Sequence, residues 1–247
     1  AWAMVKAIIN SLASIAFPQN CHICGTSVES LENGVACDSC WSRTRHFSAD
    51  SALCVKCSHP LDEPANRHSA SCHRCTEQHY DRAVAAGVYE LALAAVLLEL
   101  KKTPNVPDRL NRLVRSTLEM LEISANTLIV PVPLSAKRRV ERGFNQAEIL
   151  ARSVARLSGN HLDAFSLVRK AHTPMHRTAM DRKARESTVK NAFEIKRPKF
   201  IEGKSIILVD DIFTSGATVS SCANILKKHG ATSVSVLTLA RAVEGRH

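Results

Sequence analysis

The sequence predicts an α/β fold, a Rossmann-like parallel sheet flanked by helices, preceded by a small module of two four-cysteine metal sites. Three observations carry this. Eight of the nine cysteines stand as four C-x-x-C pairs within the first 75 residues. Beyond residue 80, short apolar, β-branched runs alternate with helical segments, the order that builds a parallel sheet. The last such strand-to-helix step, ILVDDIFTSGAT from Ile207 to Thr218, ends its apolar run in two acids before a turn of small residues.

The cysteine pairs are Cys21/Cys24, Cys37/Cys40, Cys54/Cys57 and Cys72/Cys75, separated by 12, 13 and 14 residues. A C-x-x-C turn sets two thiolates on one metal at Zn–S distances of about 2.3 Å, and two such pairs close a tetrahedral site. Four pairs therefore predict two zinc ions. Closed four-thiolate sites leave no open position, so both are expected to be structural. A disulfide framework competes, but it needs an oxidising compartment, and no export signal is legible. A redox C-x-x-C explains one pair, not four at even spacing. Consecutive pairing, first with second and third with fourth, needs only local turns and is preferred to a cross-braced arrangement. Cys222 stands apart, within a helical pattern, as a small buried hydrophobe.

Before the first pair, Val5, Ile8, Ile9, Leu12 and Ile15 recur at helical spacing, which predicts an N-terminal amphipathic helix over 1–19 rather than a signal peptide. No run of about 18 apolar residues exists, so no membrane span is expected and the chain reads as cytoplasmic. The formal charge is +10. Between Lys137 and Lys190, 13 Lys/Arg face 5 Asp/Glu, so net +8 lies in that stretch. Such a surface suits a polyphosphate, a nucleic acid, or both. With seven Phe, two Tyr and two Trp, no broad aromatic platform for single strands is evident.

Composition changes after Cys75, which places a module boundary at 78/79. Arg82–Glu90 reads as a strand and Leu91–Lys101 as a helix. Pro104 and Pro107 break the chain before a helix over Asp108–Glu122. Leu128–Val132 is an apolar strand that Pro131 and Pro133 keep from being an ordinary ladder member. Lys137, Arg138, Arg139 and Arg142 crowd a loop before Gly143, and a helix over Asn145–Leu157 follows. Arg169–Phe193 is polar, basic and too long for a plain connector. Ser205–Val209 is a buried strand, and Thr214–Thr218 a tight loop opening a helix over Val219–His229. That loop and helix N-terminus make an anion site, where backbone N–H groups converge and the helix dipole favours phosphate. The segment lacks both the GxxxxGK[ST] and the GxGxxG signatures. Its two carboxylates suit sugar hydroxyls or a magnesium ion beside the phosphate.

A carboxylate pair before T-S-G-A-T resembles the phosphoribosyl pyrophosphate (PRPP) motif of type I phosphoribosyltransferases. VPVPLSAKRRVERGFNQAEILA is similar to the signature of the ComF family of competence-associated phosphoribosyltransferase-like proteins. The four C-x-x-C pairs, VPVP…RGFNQA, LVDDIFTSGAT and the trailing LTLAR match that family in order from about Phe17 onward. The resemblance implies a double zinc ribbon over 20–78 and a type I phosphoribosyltransferase domain over 79–247. It implies that Asp210 and Asp211, the catalytic pair, hold the ribose hydroxyls, and that Thr214, Ser215, Gly216, Ala217 and Thr218 hold the 5′-phosphate. Pro133, Leu134, Ser135, Arg138 and Arg142 would face pyrophosphate and magnesium. His176, Arg182 and Arg185 would belong to a flexible lid, although the family commonly has glutamine where His176 stands.

The activity so implied is PRPP-dependent glycosyl transfer to an acceptor the sequence does not identify, serving DNA uptake in natural transformation. Two other roles remain open. One is a catalytically silent protein that binds single-stranded DNA and keeps the pocket for a ligand. The other is an adaptor whose ribbons dock a competence helicase or translocase.

Overall fold

A computed structural model describes residues 18–48, 50–61, 71–72, 75, 78–170 and 192–243 of the 247. The expected N-terminal helix and the residues His176, Arg182 and Arg185 lie outside the described residues.

Five parallel strands form the sheet: β1 (Arg82–Val88), β2 (Thr127–Pro131), β3 (His161–Leu162), β6 (Ser205–Phe213) and β7 (Ser233–Arg241), in the order β1-β7-β6-β2-β3. A separate antiparallel hairpin joins β4 (Leu167–Arg169) to β5 (Phe193–Ile195). The helices are α1 (Asp38–Arg43), α2 (Leu91–Glu99), α3 (Asp108–Leu118), α4 (Ala136–Arg142), α5 (Gln146–Ser158) and α6 (Ala217–Lys228). All of β2 is buried, and so is β6 from Ile206 to Val209, because helices cover both sheet faces. Successive β6 residues serve opposite cores. Ile207 and Val209 pack with Leu93, Leu97, Leu110 and Leu150 on one side. Ile206 and Leu208 pack with Val219, Cys222, Leu226 and Ile201 on the other.

Three features differ from the sequence reading. Strand β6 continues beyond Val209 through both acids to Phe213, because β7 pairs with it as far as Phe213↔Arg241. Pro131 sits inside the ladder, paired with Val209. Its missing N–H falls on the β3 side, beyond the last pairing of β3 at Ile129, while the Val132 N–H reaches the Val209 carbonyl at 2.8 Å. Lys137–Arg142 is not a loop but the helix α4. The Ser135 hydroxyl caps it by accepting the Arg138 N–H, and Gly143 closes it in the left-handed region.

The two ribbons straddle the edge strand β1. Cys21, Cys37, Cys40 and Trp41 join the core on one face of the sheet, and Cys54, Cys57 and Cys75 join the core on the other. The segment between the ribbons runs along β1 itself. The Phe47 N–H donates to the Ala86 carbonyl at 2.8 Å and the Val88 N–H to the Arg45 carbonyl at 2.9 Å. The contact is close enough that a Cβ on Gly87 would lie 2.5 Å from the Arg45 carbonyl oxygen. Farther along, the Ala83 N–H donates to the Lys56 carbonyl and Ser58 Oγ to the Ala83 carbonyl. Polar ties fix the first ribbon to α3, with Arg109 bonded to Asp38 at 2.8 Å and Arg112 to Glu32 at 3.0 Å.

Candidate functional site

The sulfurs of Cys21, Cys24, Cys37 and Cys40 lie within 4.8 Å of one another, and so do those of Cys54, Cys57, Cys72 and Cys75. The pairing is therefore consecutive. Sulfur separations of 3.4, 3.6, 3.6 and 3.9 Å lie near the roughly 3.8 Å edge of a tetrahedron with Zn–S bonds of about 2.3 Å. Each cluster opens on a knuckle in which the first cysteine's carbonyl accepts an N–H four residues on, from Gly25 in one and Ser58 in the other. The Cys72 N–H donates to Cys54 Sγ at 3.2 Å, a bond suited to a thiolate. The donor set and spacing fit two closed, structural zinc sites.

The second region is a cleft of about 170 Å³ at the carboxyl ends of β2 and β6. Asp210, Asp211 and Thr218 line it from the β6–α6 side, and Val132, Pro133, Leu134, Arg138 and Arg142 from the β2–α4 side. Lys101, Asn145, Gln146, Ala147 and Arg169 complete the wall. Four cations thus surround two carboxylates, the balance a polyanion carrying a divalent cation requires.

Asp210 and Asp211 are held by their own backbone. Asp210 Oδ1 accepts the Asp211 N–H at 2.9 Å, and Asp211 Oδ1 accepts the Ile212 N–H at 3.0 Å. Lys101 Nζ lies 3.6 Å from Asp211 Oδ2. Burial, and then the neighbouring Asp211 charge, push the Asp210 carboxyl well above the usual carboxylate range. A cation entering beside it would restore its ionised form.

Gly216 caps α6 with φ 80°, and a Cβ there would lie 2.7 Å from Phe213 Cζ. Thr214 and Ser215 are exposed in the turn, while Ala217 and Thr218 already belong to the first helical turn. Ser135 caps α4 and does not reach the cleft wall.

Several wall residues escaped the sequence reading. Lys101 arrives from the end of α2, far away in sequence, and nothing local marks it. Gln146 opens α5 beneath the Asn145 cap; its side chain is buried at 3% exposure, and its Nε2 has no hydrogen-bond partner among the described residues. Asn145 Nδ2, by contrast, is spent on the Val132 carbonyl at 3.0 Å. Arg241 at the end of β7 is buried, with Nη1 donating to the carbonyls of Phe213, Thr214 and Ala242, and its guanidinium lies 4.5 Å from the Phe213 ring centroid. Cys222, fully buried on α6, has its thiol pushed well up by burial and is packing material.

Among the described residues no helix is long and apolar enough to cross a membrane.

Comparison with known proteins agrees with this architecture. Residues 12–76 match the double zinc ribbon domain, and residues 140–247 the phosphoribosyl transferase domain. The DNA utilization protein YhgH of Escherichia coli K12 is 28% identical over 93% of this chain and 100% of its own length. Its Salmonella typhi counterpart is 31% identical over 78% of this chain and 85% of its own. Competence protein F of Haemophilus influenzae is 28% identical over 92% of this chain and 98% of its own. With both domains in the same order and similarity along nearly the full length, the chain belongs to the ComF family of double-zinc-ribbon, phosphoribosyltransferase-type proteins.

Proposed function

We propose that this protein binds PRPP with magnesium in the β2–β6 cleft, and that it does so in the handling of DNA taken up by the cell. The observation that supports the reading is the Asp210–Asp211 pair at the end of β6, sharing one cleft with the first turn of α6 and with Arg138 and Arg142. The carboxylates accept hydrogen bonds from the ribose hydroxyls. The amides of Gly216–Thr218 and the positive end of the α6 dipole take the 5′-phosphate. Arg138, Arg142 and the Pro133–Leu134 backbone receive the pyrophosphate. Magnesium, when bound, supplies charge neutralisation of that leaving group.

Displacing pyrophosphate from the anomeric carbon needs positioning and electrostatic screening more than a protein nucleophile. The wall supplies these: Lys101 holds Asp211, and apolar Val132 and Leu134 limit water on the other side. The two cysteine clusters each hold a zinc ion that fixes the fold. The DNA-handling role draws on the relatives, named as competence and DNA utilization proteins.

Calorimetric titration of the zinc-loaded protein with PRPP and magnesium tests the cleft. Saturable binding that is lost in Asp210→Ala/Asp211→Ala supports it. Binding of equal affinity in that variant rules the cleft out.

A further inference from the structure

Phe165 and Phe200 are the most exposed aromatic rings among the described residues, at 70% and 57%. They are 35 positions apart, yet they meet on one guanidinium: Arg197 Cζ lies 5.1 Å from the Phe165 ring centroid and 4.9 Å from that of Phe200. The arrangement is preorganised from below. Asp163, 6% exposed, accepts the N–H groups of Phe165 and Ser166 at 2.9 and 3.0 Å and binds Arg197 Nη2 at 3.0 Å. One buried carboxylate thus fixes both the loop that carries Phe165 and the cation between the rings. The 3₁₀ turn Pro198–Phe200 presents the second ring.

We propose that Phe165, Arg197 and Phe200 form a stacking platform for single-stranded nucleic acid, an inference that rests on the DNA-handling half of the function above and not on the phosphoribosyl cleft. Two exposed rings with a guanidinium between them offer π-faces that stack bases without regard to sequence. Lys196–Phe200 carries three cations; Arg197 is paired with Asp163 and Lys196 with Glu194, so the group keeps a net charge of +1, from Lys199, for a sugar–phosphate backbone. Asp163 is consumed by Arg197 and by two backbone amides, and Glu194 is paired with Lys196 at 2.6 Å, so neighbouring carboxylates do not oppose phosphate. The platform also stands where a strand could lead inward. It lies at one end of the β4–β5 hairpin, whose other end carries Arg169 into the cleft wall, four residues or about 13 Å from Phe165.

The test uses the full zinc-loaded protein and a fluorescent oligodeoxythymidylate, with anisotropy read at low and physiological salt. Phe165→Leu/Phe200→Leu keeps apolar cover over Arg197 and removes the stacking faces. The affinity is expected to fall about tenfold or more at both salts, with PRPP affinity and melting temperature unchanged. An oligonucleotide carrying 5-iodouracil is expected to photocrosslink to Phe165 or Phe200 in the unaltered protein. No oligonucleotide binding by the unaltered protein, equal binding by the leucine variant, or crosslinks confined to other surfaces would each overturn the platform. An occupant that is an acidic protein segment would give the second of these outcomes. Failure of the unaltered protein to bind PRPP would instead count against the cleft, so the two readings fail separately.

Discussion

Arg241 Nη2 lies 4.0 Å from Cys57 Sγ, while Nη1 of the same guanidinium is bonded to the Thr214 carbonyl. One buried side chain therefore spans the second cysteine cluster and the turn that opens α6. Among the described residues no carboxylate pairs with Arg241. A zinc ion held by four thiolates carries net charge −2, and that charge is the counter-ion this cation lacks. Arg241 thus ties the second cysteine cluster to the turn that opens α6, and if a ligand binds that turn, coupling between the two would be reciprocal.

Arg241→Met should expose the link. It removes donors to three carbonyls and the charge facing Cys57, costing about 2–4 kcal/mol. Chelator-driven zinc release, followed with a metallochromic dye, is expected to quicken for one of the two ions while the other keeps its rate. Saturating PRPP should slow the same phase in the unaltered protein. Uniform release from both sites in the variant would show that the guanidinium only packs.

Gly216→Ala places a methyl against Phe213, whose ring is held by Tyr80 at 5.9 Å and by Arg241. The left-handed φ adds about 1–2 kcal/mol for any residue with a Cβ. Stability should fall by about that much, and PRPP affinity by about tenfold or more as the turn shifts. Thermal melting and calorimetry on one preparation check both.

Asp210→Asn should raise stability while abolishing ligand binding. The folded protein holds the Asp210 proton more tightly than the unfolded chain does. Stability therefore falls as pH rises from the ordinary carboxylate range through the folded-state value, and levels off above it. The variant loses that slope. Its melting temperature at neutral pH should rise by about 2–4 °C for each kcal/mol recovered. A melting temperature below that of the unaltered protein at neutral pH would contradict the assigned sign.

Gln146→Leu separates ligand from scaffold. The buried Nε2 has no partner among the described residues, so replacing it with an apolar group of similar size should leave the free protein as stable or more so. If the amide donates to ligand in the cleft, PRPP affinity should drop about tenfold. Equal affinity would make Gln146 filler.

The parts of this molecule legible in the sequence are those whose signal is local. Each C-x-x-C turn announces itself, and the β6–α6 step shows a β-branched run, a glycine and a helical stripe in order. Helix α4 gives no such signal, because none of its residues is buried and Val140 is 85% exposed; a helix without an apolar face has no period to read. The end of β6 was hidden for a different reason. Asp210 and Asp211 are poor strand formers, and only pairing with β7 keeps them extended. Strands β4 and β5, three residues each, are too short for alternation to register. Lys101, Arg169 and Arg241 reach their positions through tertiary packing, and the Phe165–Phe200 pair is invisible until the chain folds.

The seam along β1 has a consequence for how the molecule can be divided. A fragment beginning at residue 79 would keep the catalytic-type sheet but bare the N–H and C=O groups that Arg45, Phe47, Lys56 and Ser58 now occupy. An open parallel edge is a template for pairing with a second copy. Such a fragment should self-associate on light scattering where the whole chain does not, and adding the ribbon segment in trans should reverse it. Gly87→Ala, which pushes the Arg45 carbonyl away, should reproduce the same stickiness within the intact protein. The metal-binding module is thus part of the solubility of the sheet domain, which should not be portable without it.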